Sequence, residues 1–189
     1  SYPSTRRGLA MNLPFLRQLA LALLILSPGA VVHAGKVAFA QNRFSVEIPA
    51  NWKKSQGPDD NAVIHYDAPG KDGSFSIYQL PVAKDHRANL EGTLASRIKA
   101  IKKAGLKVSA DVKSQKQDNF DGKPALFGVV PVEADFQDQV VKFTYYLVLV
   151  DAKDTVIVMQ AALPRPLTPD LQQGALGIIQ SFREKTKTP

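Results

Sequence analysis

Two histidines are the residues of this chain best suited to chemistry outside its first 34 residues. They are His65 and His86, and an imidazole can bind a metal or exchange a proton near neutral pH. Asp67 lies two residues after His65, and alternate residues of a strand share a face, so both side chains are expected on one side of a strand. A metal site needs three or four convergent ligands, and no ligand spacing of that kind is present. We keep His65, His86 and Asp67 as candidate metal ligands, while the sequence predicts no metal and no cofactor.

A histidine together with nearby serines could indicate a serine hydrolase. Ser74 and Ser76 are the serines nearest in sequence to a histidine. A hydrolase needs serine, histidine and an acid in one geometry, and the serine often sits on a Gly-x-Ser-x-Gly turn, which this chain lacks. Both serines instead follow an ordinary strand pattern. The sequence therefore predicts a protein without catalysis.

Charge and cysteine content exclude further classes of protein. The chain has 189 residues, with 24 Lys and Arg against 17 Asp and Glu. Residues 1–34 carry three of the seven net positive charges, so the remainder has the ordinary surface charge of a domain and not that of a nucleic-acid-binding protein. With no cysteine, the chain has no thiol nucleophile, disulfide or zinc ribbon. It also has no cysteine on which a lipid anchor could form.

Residues 1–34 have the pattern of an export signal. Arg17 precedes the apolar run from Leu19 to Leu26, and small residues follow at Val32 and Ala34. This order is typical of a secretory signal peptide. We expect cleavage after Ala34, with cleavage after Ala40 as the alternative, and an uncleaved anchor as a further one.

The start of the signal leaves two points open. Met11 has the position of a natural initiator, so residues 1–10 are expected to precede the true start, as upstream translation or as the edge of a fragment. The adjacent Arg6 and Arg7 faintly resemble a twin-arginine export motif, and the sequence does not distinguish that route from general secretion. Either route would deliver the protein to the periplasm or to the medium.

The remaining chain alternates as strands interrupted by two helices. Apolar residues recur at every second position in strands and at every third or fourth position in helices. This pattern predicts the order β-β-β-α-β-β-β-β-α, with strands at 43–48, 62–67, 74–82, 107–118, 125–134, 140–151 and 155–163. The strand at 140–151 is the most apolar and is expected at the centre of the sheet.

The first predicted helix covers residues 89–104. Its apolar residues recur at helical spacing, Asn89 is suited to cap its start, and Gly105 is suited to end it. Arg97 and the lysines at 99, 102 and 103 are expected to face solvent. With Lys107 these lysines form a basic patch, which would be a solvated face or a contact for anionic lipid or an acidic partner.

Phe136 is the candidate partner-binding residue. It lies in the segment Asp135–Asp138, between two predicted strands. If this segment is a hairpin loop, Phe136 is an aromatic at a solvated tip, where it could contact a partner. The alternative is that the loop folds back onto the sheet.

In this order the elements resemble the PsbP superfamily. The resemblance rests on four features. The strand from Phe44 ends in Pro49 and is followed by Trp52, and a turn lies at 121–125. A later aromatic strand has two tyrosines, and the closing helix ends at Phe182. The resemblance implies an α/β/α sandwich. It also implies an accessory or binding role, since the family includes the extrinsic PsbP subunit of photosystem II, a Ran-binding import factor and DcrB-type envelope proteins. No functional residue carries over from these proteins.

These inferences combine into one expectation. The fold is α+β, an α/β/α sandwich with a central antiparallel sheet of six to seven strands and two main helices. A signal region at 1–34 and a short segment at 35–41 precede one domain at 42–183, and a polar tail covers 184–189. We expect an exported, soluble binding protein whose partner is an envelope protein or assembly, with no nucleic acid and no stable membrane anchor. A thylakoid-lumen location would require a photosynthetic host. The alternative is a periplasmic protein that binds a small ligand or metal.

Overall fold

The computed structural model describes residues 34–57, 59–71 and 73–185, all of which belong to one compact unit. The expected signal region as far as His33, its twin arginines and Met11 lie outside the described residues, as does most of the expected polar tail. Neither helix in the described part is long and apolar enough to cross a membrane.

The described residues form strands and two helices in the order that alternation predicted, with some additions. The strands are β1 (Ala34–Phe39), β2 (Phe44–Pro49), β3 (Lys53–Lys54), β4 (Ala62–Asp67), β5 (Ser74–Pro81), β6 (Lys107–Val108), β7 (Lys113–Phe120), β8 (Lys123–Phe136), β9 (Gln139–Asp151), β10 (Thr155–Pro164) and β11 (Arg183–Glu184). The helices are α1 (Leu90–Lys103) and α2 (Pro169–Gln180). The expected α+β class is confirmed.

The strands form two antiparallel sheets. The main sheet has eight strands in the order β3-β4-β5-β10-β9-β8-β6, with β7 also paired to β8. It exceeds the expected six to seven strands because β3 joins one edge and the strand predicted at 107–118 divides into β6 and β7. The strand predicted at 43–48 is β2, which lies in the second sheet and not in the main one. The second sheet has the order β1-β2-β11. β9 lies inside the main sheet, as its apolar sequence predicted.

Each face of the main sheet has its own apolar core. On one face, α2 and the small sheet pack against residues such as Ile77 and Ile157. On the other, α1 packs against residues such as Leu126 and Leu149. Neighbouring strand residues point to opposite faces, so one strand serves both cores. This arrangement is the expected sandwich, and Trp52 and Phe44 lie in its core, 4% and 1% exposed.

Helix α1 has the boundaries that its sequence predicted. The Asn89 side chain accepts a hydrogen bond from the backbone N–H of Gly92 at 2.8 Å, and Gly105 takes a φ of 86° just after the helix, which a residue without Cβ adopts readily. The expectation that Arg97 faces solvent was wrong. Its guanidinium lies 3.9 Å from the centre of the Tyr78 ring, because it stands three residues after the buried Leu94 on the same helix face.

Several strands differ in length from the sequence expectation. The single strand predicted at 107–118 is two strands, β6 and β7, separated by four residues that leave the sheet. β8 and β9 extend to Phe136 and back from Gln139, beyond the predicted ends at 134 and 140. β1 was not predicted, since its alternation is weak. Glu184, expected in a polar tail, is the second residue of β11.

A network of ion pairs holds β11 in place. Glu184 accepts a hydrogen bond from Arg43 Nε at 2.7 Å and pairs with Lys123 Nζ at 2.8 Å. Arg43 also donates to Asp154 at 2.7 Å, and the backbone N–H of Glu184 donates to Asp121 at 2.9 Å. These contacts join four separate parts of the chain, and opposite charges at such distances stabilise one another.

Candidate functional site

The hairpin of β8 and β9 projects beyond the rest of the main sheet. The two strands remain paired as far as Phe136 and Gln139. The neighbouring β6 pairs with β8 only as far as Glu133, and β10 pairs with β9 only from Phe143. Residues 134–141 are therefore a free two-stranded ribbon, which extends by about 10 Å at the usual rise per strand residue. We call this segment the ribbon.

The tip of the ribbon is the turn at Gln137 and Asp138. Both residues have positive φ, 47° and 61°, as a two-residue hairpin turn requires. Phe136 is the last residue of β8 and its side chain is 63% exposed, while Val140 on β9 is 57% exposed. Phe136 is thus at a solvated tip, and the alternative that the loop folds back onto the sheet was wrong.

Phe136 and Val140 lie on opposite faces of the ribbon. Paired residues share a face, and Phe136 pairs with Gln139 while Val140 pairs with Asp135. Phe136 stands four positions after Val132, which is buried against α1, so it is on the α1 face. Val140 is on the α2 face. The sequence analysis identified Phe136 but missed Val140, which it assigned to the start of a strand and not to the tip.

Two acidic residues at the base of the ribbon are paired with lysines. Asp135 accepts a hydrogen bond from Lys107 Nζ at 2.9 Å, and this bond raises the pKa of Lys107. Glu133 is 3.7 Å from Lys142 Nζ. The pairs reduce the net negative charge at the base of the ribbon. Lys107, expected in a basic patch, is therefore partly neutralised.

The structure joins Ser76, His65 and Asp67 by two successive contacts across β4 and β5. His65 Nδ1 is 2.7 Å from Ser76 Oγ, and His65 Nε2 is 3.5 Å from Asp67 Oδ1. The prediction that His65 and Asp67 share a face is confirmed by this distance. Sequence spacing did not indicate the contact with Ser76, because strand register decides it.

Ser76, His65 and Asp67 have the composition of a hydrolase triad, but Ser76 and His65 are not accessible to a substrate. Ser76 is 1% exposed and the His65 side chain is 9% exposed, so a substrate carbonyl has no path to the hydroxyl. Ser76 is also in mid-strand, where a backbone oxyanion hole like those of serine hydrolases is not formed. The arrangement is a hydrogen-bonded polar contact within the sheet face.

His86 lies apart from His65. His65 pairs with Ser76 of β5, whereas His86 comes after the end of β5 at Pro81. Ser76 and Pro81 are five strand positions apart, which is about 16 Å at the usual rise per residue. The Nδ1 of His86 is 3.0 Å from the carbonyl oxygen of Lys84. Within the described residues, no group of three or more His, Asp and Glu side chains could hold a metal. The structure does not bring the three candidate ligands together.

A second polar contact near His65 was missed by sequence reasoning. Arg97 Nη2 donates to Gln160 Oε1 at 3.0 Å, and its guanidinium covers Tyr78, whose hydroxyl reaches Asp59 at 3.4 Å. Burial raises the pKa of Tyr78. The signal available in the sequence was the position of Arg97 on the apolar stripe of α1. Its contacts hold the helix against the sheet.

A groove lies at the start of α1, at the end of the helix away from the ribbon. Its volume is about 460 Å³, and charged and apolar residues line it together. Glu91 on α1 and Lys116 on β7 form an ion pair of 2.9 Å beside it. The lining residues on β8 are Pro124, Ala125 and Leu126. The size suits a small ligand.

Comparisons with known proteins identify the fold. Cyanobacterial PsbP (CyanoP) from Synechocystis sp. PCC 6803 superposes with a TM-score of 0.62 at 10% identity, covering 85% of this chain and 98% of that chain. The Ran-binding protein Mog1p of Saccharomyces cerevisiae superposes with a TM-score of 0.52 at 12% identity, covering 81% and 96%. No family model matches the sequence, and no curated protein matches it. The chain therefore has the PsbP-like fold that the order of its elements predicted, and identities this low extend to the fold alone.

Proposed function

We propose that this chain is an exported, non-catalytic binding protein that docks an envelope component through the ribbon. The observation that carries the proposal is the 63% exposed Phe136 at the tip of a projecting hairpin. Aromatic side chains are enriched among the residues that dominate interfaces, and an aromatic held on a hydrogen-bonded strand loses less conformational freedom on binding than one on an irregular loop. The Ran-binding neighbour supports a binding role for this fold.

Export is the second part of the proposal. It rests on the basic, apolar and small-residue order of residues 1–34. β1 gives a reason to place cleavage after Ala34, since cleavage after Ala40 would remove a strand whose Phe39 is 7% exposed and packs against Phe44 at 5.5 Å. The mature protein then begins at Gly35, the second residue of β1.

Site-specific cross-linking tests the docking. We place the photoreactive p-benzoylphenylalanine at Gln137 in the full chain and irradiate the native envelope fraction. The matched control carries it at Val63, which is 49% exposed on β4, away from the ribbon. We expect one dominant product from position 137 that Phe136→Ala removes. Equal products from both positions, or no product from position 137, would refute docking through the ribbon.

The groove beside Glu91 and Lys116 supports a second candidate, a small-ligand function. The test is a screen for ligands that raise the unfolding temperature, repeated on Leu126→Ala to locate the site. A stabilising ligand whose effect is lost in this variant would favour the second candidate.

A further inference from the structure

Unpaired lysines are gathered at the end of α1 that points toward the ribbon. Helix α1 runs along β8, because Leu94 packs beside Gly128 and the chain after the helix pairs with Val132 in β6. Lys99, Lys102 and Lys103 are exposed on its last two turns. Among the residues that the structure describes, none of these three lysines has an ion-pair partner. We call them the basic end.

The ribbon face toward the basic end is uncharged. By strand parity this face carries Ala134, Phe136, Gln139 and Val141. Asp135 belongs to the opposite face, where Lys107 pairs with it. This uncharged, largely apolar strip thus begins at the end of the sheet toward which the basic end of α1 points. A complementary surface is negatively charged and has apolar material within reach of Phe136.

The position of Val140 decides between two kinds of occupant. A protein partner that docks on one side of the ribbon would cover Phe136 and leave Val140 in water. A bilayer surrounds the tip and removes both side chains from water at once. Exposed apolar residues on both faces of one tip therefore favour a lipid surface.

We propose that the envelope component bound by the ribbon is an anionic phospholipid surface, with the basic end on the headgroups and Phe136 and Val140 in the interfacial layer. This inference rests on the proposed function and names the partner for the same site. The docking is shallow, because Asp138 in the turn must remain at headgroup depth. Anionic headgroups attract each lysine near the surface, while Asp138 opposes the attraction.

Vesicle binding tests the proposal. The full chain is mixed with vesicles of equimolar phosphatidylglycerol and phosphatidylcholine, or of phosphatidylcholine alone, and the bound fraction is found by sedimentation. Replacing all three lysines of the basic end by Gln should lower the partition coefficient by about 100-fold, about five-fold for each lysine. Phe136→Ala should lower it by about ten-fold. Asp138→Asn should raise it.

The control variant loses the same number of positive charges, at positions away from the ribbon and the basic end. Lys36, Lys53 and Lys54 are exposed on β1 and β3, and their joint replacement by Gln should change the partition coefficient by less than about two-fold, since screening limits charge effects to about 8–10 Å. Every protein in the comparison contains residues 1–34, so any contribution of that segment is common to all. Binding should weaken as ionic strength rises.

The outcomes separate this inference from the proposed function. Equal losses for the basic-end and control variants, or unchanged binding by Phe136→Ala, would overturn the lipid proposal. If the position 137 cross-link then leads to a protein, the proposed function stands and its partner is a protein. If position 137 gives no cross-link and the vesicles show no dependence on Phe136, both proposals fail.

Discussion

Replacing Glu184 by Gln tests the claim that long-range ion pairs hold the last strand on the fold. Glu184 is the carboxylate shared by Arg43 at 2.7 Å and Lys123 at 2.8 Å. Its side chain is 24% exposed and that of Lys123 is 16% exposed. Gln keeps the shape and one acceptor, but it places an amide N–H₂ against one of the two cations. The change therefore removes a charge and one charge-assisted hydrogen bond.

The expected cost follows from burial and from the number of bonds. A hydrogen bond to a charged group contributes about 1.5–3 kcal/mol, and partial exposure reduces this through solvent screening. We expect the free energy of unfolding to fall by about 1–3 kcal/mol at neutral pH. For a domain of this size that is a loss of about 2–10 °C in the unfolding temperature.

The effect has a defined dependence on pH. Burial acts to raise the pKa of Glu184, but hydrogen bonds from Lys123 and Arg43 outweigh it, so the pKa lies below its ordinary value. A carboxyl group whose pKa is lower in the folded state stabilises the fold above its unfolded pKa, about 4.3, and loses that contribution as pH falls through the folded pKa. The difference between the wild type and Glu184→Gln is thus full near pH 7 and shrinks below about pH 4.

Thermal unfolding followed by circular dichroism from pH 7 downward measures this difference. Glu91→Gln is the matched control, because Glu91 and Lys116 also lie 2.9 Å apart but both side chains are about 70% exposed. We expect no measurable change in the control. The reasoning is refuted if Glu184→Gln is as mild as Glu91→Gln, or if its deficit stays constant as the pH is lowered.

Two further outcomes follow from burial. Phe182→Ala should lower the free energy of unfolding, measured in urea, by about 3–5 kcal/mol. The reason is that Phe182 is fully buried and its ring stacks between those of Phe44 and Phe120, with ring centres 5.7 Å and 6.0 Å away. A cost below about 1 kcal/mol would contradict this packing. A fluorophosphonate probe should not label the folded protein, because Ser76 is 1% exposed; labelling that Ser76→Ala abolishes would instead establish a hydrolase.

Local signals predicted the classes of the elements well. The helix from Asn89 to Gly105 was predicted almost to the residue, because capping and apolar spacing act within one or two turns. The high apolar content of β9 placed it in the sheet interior, because strands that are covered on both faces have more continuous apolar sequences than strands with one solvated face. β1 and the break between β6 and β7 escaped prediction, since weakly alternating segments become strands only when a neighbour pairs with them.

The candidate site was predicted in part. Phe136 was recognised as an aromatic between two strands, but its exposure depends on β6 and β10 ending before the tip. The partner of Val140 and the face of each residue follow from the register, which a two-residue turn sets. The alternation of β9 alone does not show that it runs beyond the sheet.

The amino-acid sequence was sufficient for the α+β class, the order of elements and the caps of α1, because periods of 2 and 3.6 residues and capping are short-range properties. The PsbP-like fold came from the resemblance of that order to a known family. The contact of His65 with Ser76, the stacking of Arg97 on Tyr78 and the pairing of Arg43 with Glu184, 141 positions later, were decided by tertiary structure alone. Such contacts depend on strand order and register, which arise from the burial of both faces of the sheet together and which no short segment encodes.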